Sequence, residues 1–165
     1  MLQAKPAHGY ELLERFRSPA HLGRIWTMST SQLYAVLKRL EEDGAVVGQE
    51  VEVPDAPARV EYTVTPKGTQ RLEAWLYEPN PSTSIHRIRV MFLSRVYVAR
   101  LLTLDLNPLI AHQERVCRKQ RQQIQAERGK ASSAMERLTL DFVNGQLEAA
   151  LAWLNEFRKQ LSAET

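Results

Sequence analysis

Ser29, Thr30, Ser31 and Gln32 are four consecutive side chains that donate and accept hydrogen bonds, and they stand directly ahead of an apolar run. On the first turn of a helix, such side chains match the donor and acceptor pattern that base pairs present in the major groove. Tyr34, Lys38 and Arg39 follow within three turns, and a phenol and two cations at that spacing suit phosphate oxygens. A helix start also offers unpaired amides to an anion. This is the chemistry of recognition. Nothing comparable exists for bond making. His8, His21, His86 and His112 lie far apart, with no carboxylate or second histidine at ligand spacing, and there is no glycine-rich phosphate loop or nucleophile elbow. Cys117 is the only cysteine, which excludes an internal disulfide or a thiolate metal cluster and reads as a buried, inert thiol. Neither catalysis nor a cofactor nor a metal is expected.

The same residues also have plainer readings. Ser29 and Gln32 stand at capping-box spacing. Lys38 and Arg39, beside Glu41, Glu42 and Asp43, make a solvated salt-bridged face, and Tyr34 suits a half-buried position. Arg59 sits near the tip of an expected hairpin, where it can touch a groove or a phosphate.

The elements that position these groups follow from periodicity. Tyr10, Leu13 and Phe16 give a short amphipathic helix over Gly9 to Arg17, ending near Ser18-Pro19. Leu33, Val36, Leu37 and Leu40 give a second helix from Ser29 to Gly44. The period then changes to two over Val46 to Val53 and Arg59 to Val64, with Pro54-Asp55-Ala56-Pro57 as the turn, and Thr65-Pro66 opens a third helix carrying Leu72, Trp75 and Leu76. A helix, a capped second helix, a hairpin and a closing helix in that order form a winged helix-turn-helix. The expected fold is mainly α with a small β-hairpin wing, and the second helix enters the major groove. Pro79 to Ser84 has two prolines and no apolar residue, so residues 1–78 form a DNA-binding domain, 79–84 a linker and 85–165 a helical coiled-coil dimerisation domain.

Bulk charge argues less directly. The chain carries +3 overall, but residues 1–78 hold nine Lys and Arg against eleven Asp and Glu, and the excess positive charge lies beyond them. That distribution keeps open an alternative, a winged-helix module that binds protein instead of DNA. Apolar runs such as Val96 to Ala99 fall far short of the roughly 18 residues of a membrane span, and a cytoplasmic location is expected.

His8-Gly9-Tyr10-Glu11-Leu12, Leu33-Tyr34 with Leu37-Lys38-Arg39-Leu40-Glu41, Gly44, Tyr62, Thr65, Gly68, Leu72 and Trp75-Leu76 resemble the PadR family of transcriptional regulators. The tail, with Ala134 to Leu140 and Glu148 to Leu154, more loosely resembles the C-terminal domain of the virulence-activator branch. The resemblance implies a homodimeric repressor or activator, repressor being the expected sign, bound to double-stranded DNA with a palindromic operator and often responsive to a small aromatic compound. Trp75, Phe92, Tyr97 and Trp153 are the candidates to line that effector's pocket, and each is equally plain core. One departure stands out. Members begin with an additional leucine-rich helix before the His-Gly-Tyr segment, and only seven residues precede His8 here. The expectation is a start placed too late, with an exposed apolar face of Leu12, Leu33 and Leu37, or else a truncated variant that folds as a dimer.

Leu140, Val143, Leu147, Ala150, Leu154, Phe157 and Leu161 form a heptad seam with no polar intruder, and dimerisation is assigned to it. Met135, Phe142, Ala149 and Trp153 make a second stripe on the same helix. Ile110, Cys117, Ile124, Ala131 and Leu138 recur every seven residues ahead of it, in a segment read as a long, mostly solvated hairpin arm.

Overall fold

The computed structural model describes residues 1–53 and 56–163. Strand β1 (Ala7–His8) leads into helix α1 (Gly9–Arg17), where Glu11 Oε2 accepts from the amide of His8 at 3.1 Å and so satisfies a donor at the helix start. Helix α2 (Thr30–Glu42) opens on a reciprocal box: Ser29 Oγ accepts from Gln32 N (3.2 Å) and Gln32 Oε1 accepts from Ser29 N (2.9 Å). It ends at Gly44, whose φ of +68° belongs to the left-handed region that a glycine enters without Cβ strain.

Strands β2 (Val46–Val53) and β3 (Ala56–Val64) pair antiparallel, with Gly48 opposite Tyr62 and Val51 opposite Arg59. The second strand thus starts earlier than its alternating pattern suggested, because Ala56 and Pro57 join it. Pro54 and Asp55, the other half of the expected turn, lie outside the described residues. Strand β1 adds to the far side of β3, Ala7 opposite Tyr62, giving the order β1-β3-β2. Helix α3 (Pro66–Leu76) is capped by Thr65 Oγ1, which accepts from Gly68 N at 3.1 Å. A Cβ on Gly68 would stand 2.0 Å from the carbonyl oxygen of Ala45, so only glycine lets α3 approach the start of β2 this closely. Mostly helical, with a small three-stranded antiparallel sheet as its wing, this is a winged-helix architecture.

The chain divides into two compact units. The first holds Met1–Tyr77 together with Leu93–Leu104, the second Glu78–Phe92 and the chain from Asp105 on. This differs from a boundary drawn at one proline-rich linker. Helix α4 (Ile85–Arg87) runs into a π-helical turn, Ile88–Phe92, and then helix α5 (Leu93–Leu101). Upstream of the junction Ile88 and Phe92 are buried; downstream Ser94, Arg95, Val96, Val98 and Ala99 are buried on nearly every side. Long-range contacts tie α5 to the first unit. Trp26 Nε1 donates to Ser94 Oγ at 2.8 Å, and the Arg95 guanidinium lies 5.4 Å from the centre of the Trp75 ring.

The first unit's core is Leu12, Leu13, Leu33, Leu37, Val46 and Tyr62, against which Met1, Leu2, Phe16 and Met28 pack. Leu12, Leu33 and Leu37 are 3–5% exposed, so the bare apolar face expected of them is not found. Met1 and Leu2 from the start of the chain cover part of it, and Val98 of α5 lines the apolar cleft of about 370 Å³ that remains beside it.

In the second unit helix α6 (Asn107–Arg128) and helix α7 (Ala134–Ala163) form an antiparallel hairpin, with ion pairs Arg128–Asp141, Arg121–Glu148 and Arg158–Glu114 along its length. Ile110 and Cys117 are fully buried and Ile124 nearly so, and they form the packed stripe of an otherwise largely solvated hairpin arm, as the heptad spacing suggested. Burial raises the Cys117 thiol above its ordinary value, while Gln113 Nε2, 3.4 Å from the sulfur, works in the opposite direction. A thiol held protonated and out of solvent is unreactive.

Candidate nucleic-acid interface

Helix α2 buries Leu33 and Leu37 and turns Ser31, Tyr34, Ala35 and Lys38 outward, with Gln32 and Arg39 exposed beside them. The residues singled out on this helix therefore do share a surface. Lys38 reaches Glu42 at 3.9 Å, but the side chains are 78% and 63% exposed, so the pair contributes little and the ammonium is available to a stronger anion. The other acids near the end of α2 are tied to neighbouring elements. Glu41 Oε1 accepts from Gly48 N at 2.8 Å, and Asp43 pairs with Arg71 at 2.9 Å. Their negative charge thus buttresses β2 and α3 at the far end of α2 from its capped start.

At that start the cap uses part of the candidate site. Gln32 Oε1 is engaged by the amide of Ser29, and Ser29 Oγ lies 3.1 Å from Ser31 Oγ. The side-chain amide of Gln32 keeps its Nε2 donors for other partners. Arg17, which was not singled out from the sequence, donates to Thr30 Oγ1 at 3.2 Å and places a guanidinium beside the helix start, where amides and dipole already favour an anion. A basic last turn of α1 was its only local signal.

Tyr34 and Arg59 line a common cleft of about 610 Å³ with His8, Tyr10 and Glu11, which joins α2 to the wing. Tyr34 is 46% exposed, and a Cβ on Gly9 would come within 2.8 Å of its ring. Gly9 thus makes room for Tyr34 to lie against α1 with part of its ring left open. Burial, then the Glu41 carboxylate and Tyr34, raise the Tyr62 phenol above its ordinary value, so it stays neutral beneath the cleft.

A model of the transcriptional regulator PadR-like family matches residues 1–74. Over those residues the chain is similar to that family. The curated Negative transcriptional regulator PadR of Bacillus subtilis (strain 168) is 27% identical over 105 residues, 62% of this chain and 54% of that protein. The match thus spans about half the length of this curated relative. Among solved structures, Bacillus subtilis PadR in complex with operator DNA aligns at 22% identity over 94% of this chain and 91% of that one, with a TM-score of 0.44. The structure of smu.1604c from Streptococcus mutans UA159 aligns at 19% identity over 96% and 94%, also at 0.44.

The remaining candidates of this PadR-like chain fall outside the matched region or at its edge. Leu147, Ala150 and Leu154, the middle of the seam assigned to dimerisation, are buried at 0–6% exposure in the hairpin of α6 and α7. Leu140, Val143, Phe157 and Leu161 of the same stripe are half-buried. The seam is occupied within the subunit, because a heptad stripe needs an apolar helix to pack on and α6 supplies one. Met135, Leu138, Phe142 and Trp153 of α7 lie off this stripe and are exposed. The four aromatic effector candidates divide between the units and each has a partner of its own: Trp75 takes Arg95, Tyr97 meets the His21 ring edge-on at 5.8 Å, and Phe92 meets Trp153 at 5.9 Å. Such pairs are what core packing alone produces.

Proposed function

We propose that this chain is a sequence-specific DNA-binding regulator, a homodimeric repressor acting in the cytoplasm on a palindromic operator. The observation that carries the reading is the outward stripe of α2, polar and cationic opposite Leu33 and Leu37, on a helix whose capped start is flanked by Arg17. In this reading α2 enters the major groove with Ser29, Thr30, Ser31 and Gln32 at base edges. Tyr34, Lys38 and Arg39 meet phosphates, and Arg59 on the wing adds a backbone contact. The Bacillus subtilis relative is described as a negative regulator, which supports repression as the sign. Two copies meeting successive major grooves, about 34–36 Å apart, double the phosphate contacts. Control by a small aromatic compound completes the reading, and titration with substituted phenols under tryptophan fluorescence tests that part separately.

Selection from random duplex DNA is the test. Enrichment of a palindrome supports the reading, and the affinity must fall as salt rises by about 0.9 log unit per log unit of salt for each phosphate contacted. The net negative charge of residues 1–78 favours a second reading, a protein-binding winged helix. Folded protein that enriches no duplex at low salt, yet binds a protein partner with little salt dependence, would establish that reading in place of the first.

A further inference from the structure

Helix α6 packs one face in the hairpin and turns the other to solvent. The inner face buries Ile110, Gln113, Cys117 and Ile124. The outer face carries Arg115, Arg118, Lys119 and Gln122 at steps of three and four, all exposed. From Arg115 to Ala126 the helix holds four Lys and Arg, four Gln and no carboxylate. Acids at hand are already committed. Glu114, four residues before Arg118, is taken by Arg158, and Glu148 of α7 is taken by Arg121. Arg115 donates to the carbonyl of Pro79, which leaves its charge uncompensated, and Arg118 and Lys119 have no acidic partner among the described residues.

Arg115 with Arg118 and Lys119, and Arg118 with Arg121, are like-charged neighbours one turn apart, an arrangement that destabilises a helix until an anion joins it. On α2, by contrast, Lys38 has Glu42 four residues on. Three cations within about 6 Å of helix axis, at about 1.5 Å per residue, suit a linear polyanion better than a single ion. Duplex DNA presents a phosphate about every 3.4 Å along each strand, and the glutamine amides extend the same surface with further donors to phosphate oxygens. The stripe has no aromatic side chain on which an unstacked base could lie, which disfavours single strands. It also has no large apolar residue to anchor in a protein pocket or a membrane surface.

We infer that the outward stripe of α6 binds the phosphate backbone of duplex DNA without reading its sequence. The inference rests on the reading of this chain as a duplex-binding protein and adds a surface that α2 and the wing do not contain.

Anisotropy of labelled duplexes titrated with the full chain across a salt series is the test. Arg118→Gln/Lys119→Gln removes two charges, so the salt dependence should fall by about 1.8 log units per log unit of salt, and the affinity at about 50 mM salt should drop at least about ten-fold. The drop should be the same on an enriched duplex and on a scrambled one, because phosphate contacts carry no sequence information. Arg118→Lys/Lys119→Arg keeps both charges and should bind as the wild type does. Both sites are exposed, and the glutamine variant relieves like-charged neighbours, so its melting temperature should not fall. An unchanged salt slope in the glutamine variant, a loss shared by the charge-preserving swap, or a larger loss on single-stranded RNA than on duplex DNA overturns the inference and leaves the proposed function standing. A wild type that binds no duplex overturns both.

Discussion

Helices α2 and α7 each bury one stripe and expose another, but the exposed stripes have opposite chemistry. That of α2 is Ser31, Tyr34, Ala35 and Lys38; that of α7 is Met135, Leu138 and Phe142. In both, the buried stripe accounts for the fold, and on α2 the exposed one carries the proposed DNA contact. A hydrated polyanion wants hydroxyls and cations that stay solvated until contact, whereas a second protein surface wants apolar area withdrawn from water. The contrast teaches that burial within the subunit, not apolarity alone, separates a core stripe from an interface stripe.

The comparison breaks most visibly on α7. Leu154→Ala should cost about 3 kcal/mol in urea unfolding because its fully buried side chain leaves a cavity. Phe142→Ala on the open face should cost less than about 0.5 kcal/mol. Equal effects would mean the two stripes are not distinct. Next comes Arg158→Ala, which strands the Glu114 carboxylate, whose side chain is 9% exposed; about 2 kcal/mol is expected in the same assay, and a neutral result would show that Glu114 reaches water. On α2 the corresponding pair is smaller. Ser29→Ala should lose about 1 kcal/mol with the cap, while Lys38→Ala should leave melting within about 0.5 kcal/mol and reduce the salt dependence of DNA binding by about one phosphate. A Lys38→Ala protein with an unchanged salt slope removes that residue from the phosphate set.

The smallest expected effect is on pH. Arg128 holds the Asp141 carboxyl below its ordinary range, so the fold favours the ionised form. That contribution is present above the ordinary carboxylate value and is lost as pH falls through the depressed one. Acid melting curves of wild type and Asp141→Asn should therefore differ near neutral pH and converge in strong acid. Curves that stay parallel throughout would remove the pair from the stability of the hairpin.

Local signals carried the winged unit well. The Ser29–Gln32 box, Gly44 and the Thr65-Pro66 start are each a few residues of chemistry that act on the adjoining backbone, and each marks a real end. Strand β1 escaped notice because two residues cannot display a period. The attachment of α5 to the first unit escaped for a different reason: Trp26 to Ser94 and Arg95 to Trp75 are contacts between distant positions and leave no local pattern. The seam of α7 shows the same limit. A clean heptad says that a helix will pack, and Leu147 and Leu154 do, but it does not say whose helix it meets. On α2, residue types and spacing placed the candidates on one face, while Arg17 entered only through the fold.

The reciprocal cap at Ser29 and Gln32 also sets how much this position can say about a sequence. With one lone pair of Oε1 held by the Ser29 amide, Gln32 offers chiefly its Nε2 donors, which suit guanine, adenine or thymine on the strand it touches better than cytosine. Even complete exclusion of one letter in four would convey only about 0.4 bit, against 2 bits for a fully specified base pair. In the proposed function, a helix whose first turn is stitched to itself is thus a coarse reader at its most prominent residue, and the length of a recognisable site comes from many such partial statements, repeated by each half of the proposed symmetric pair.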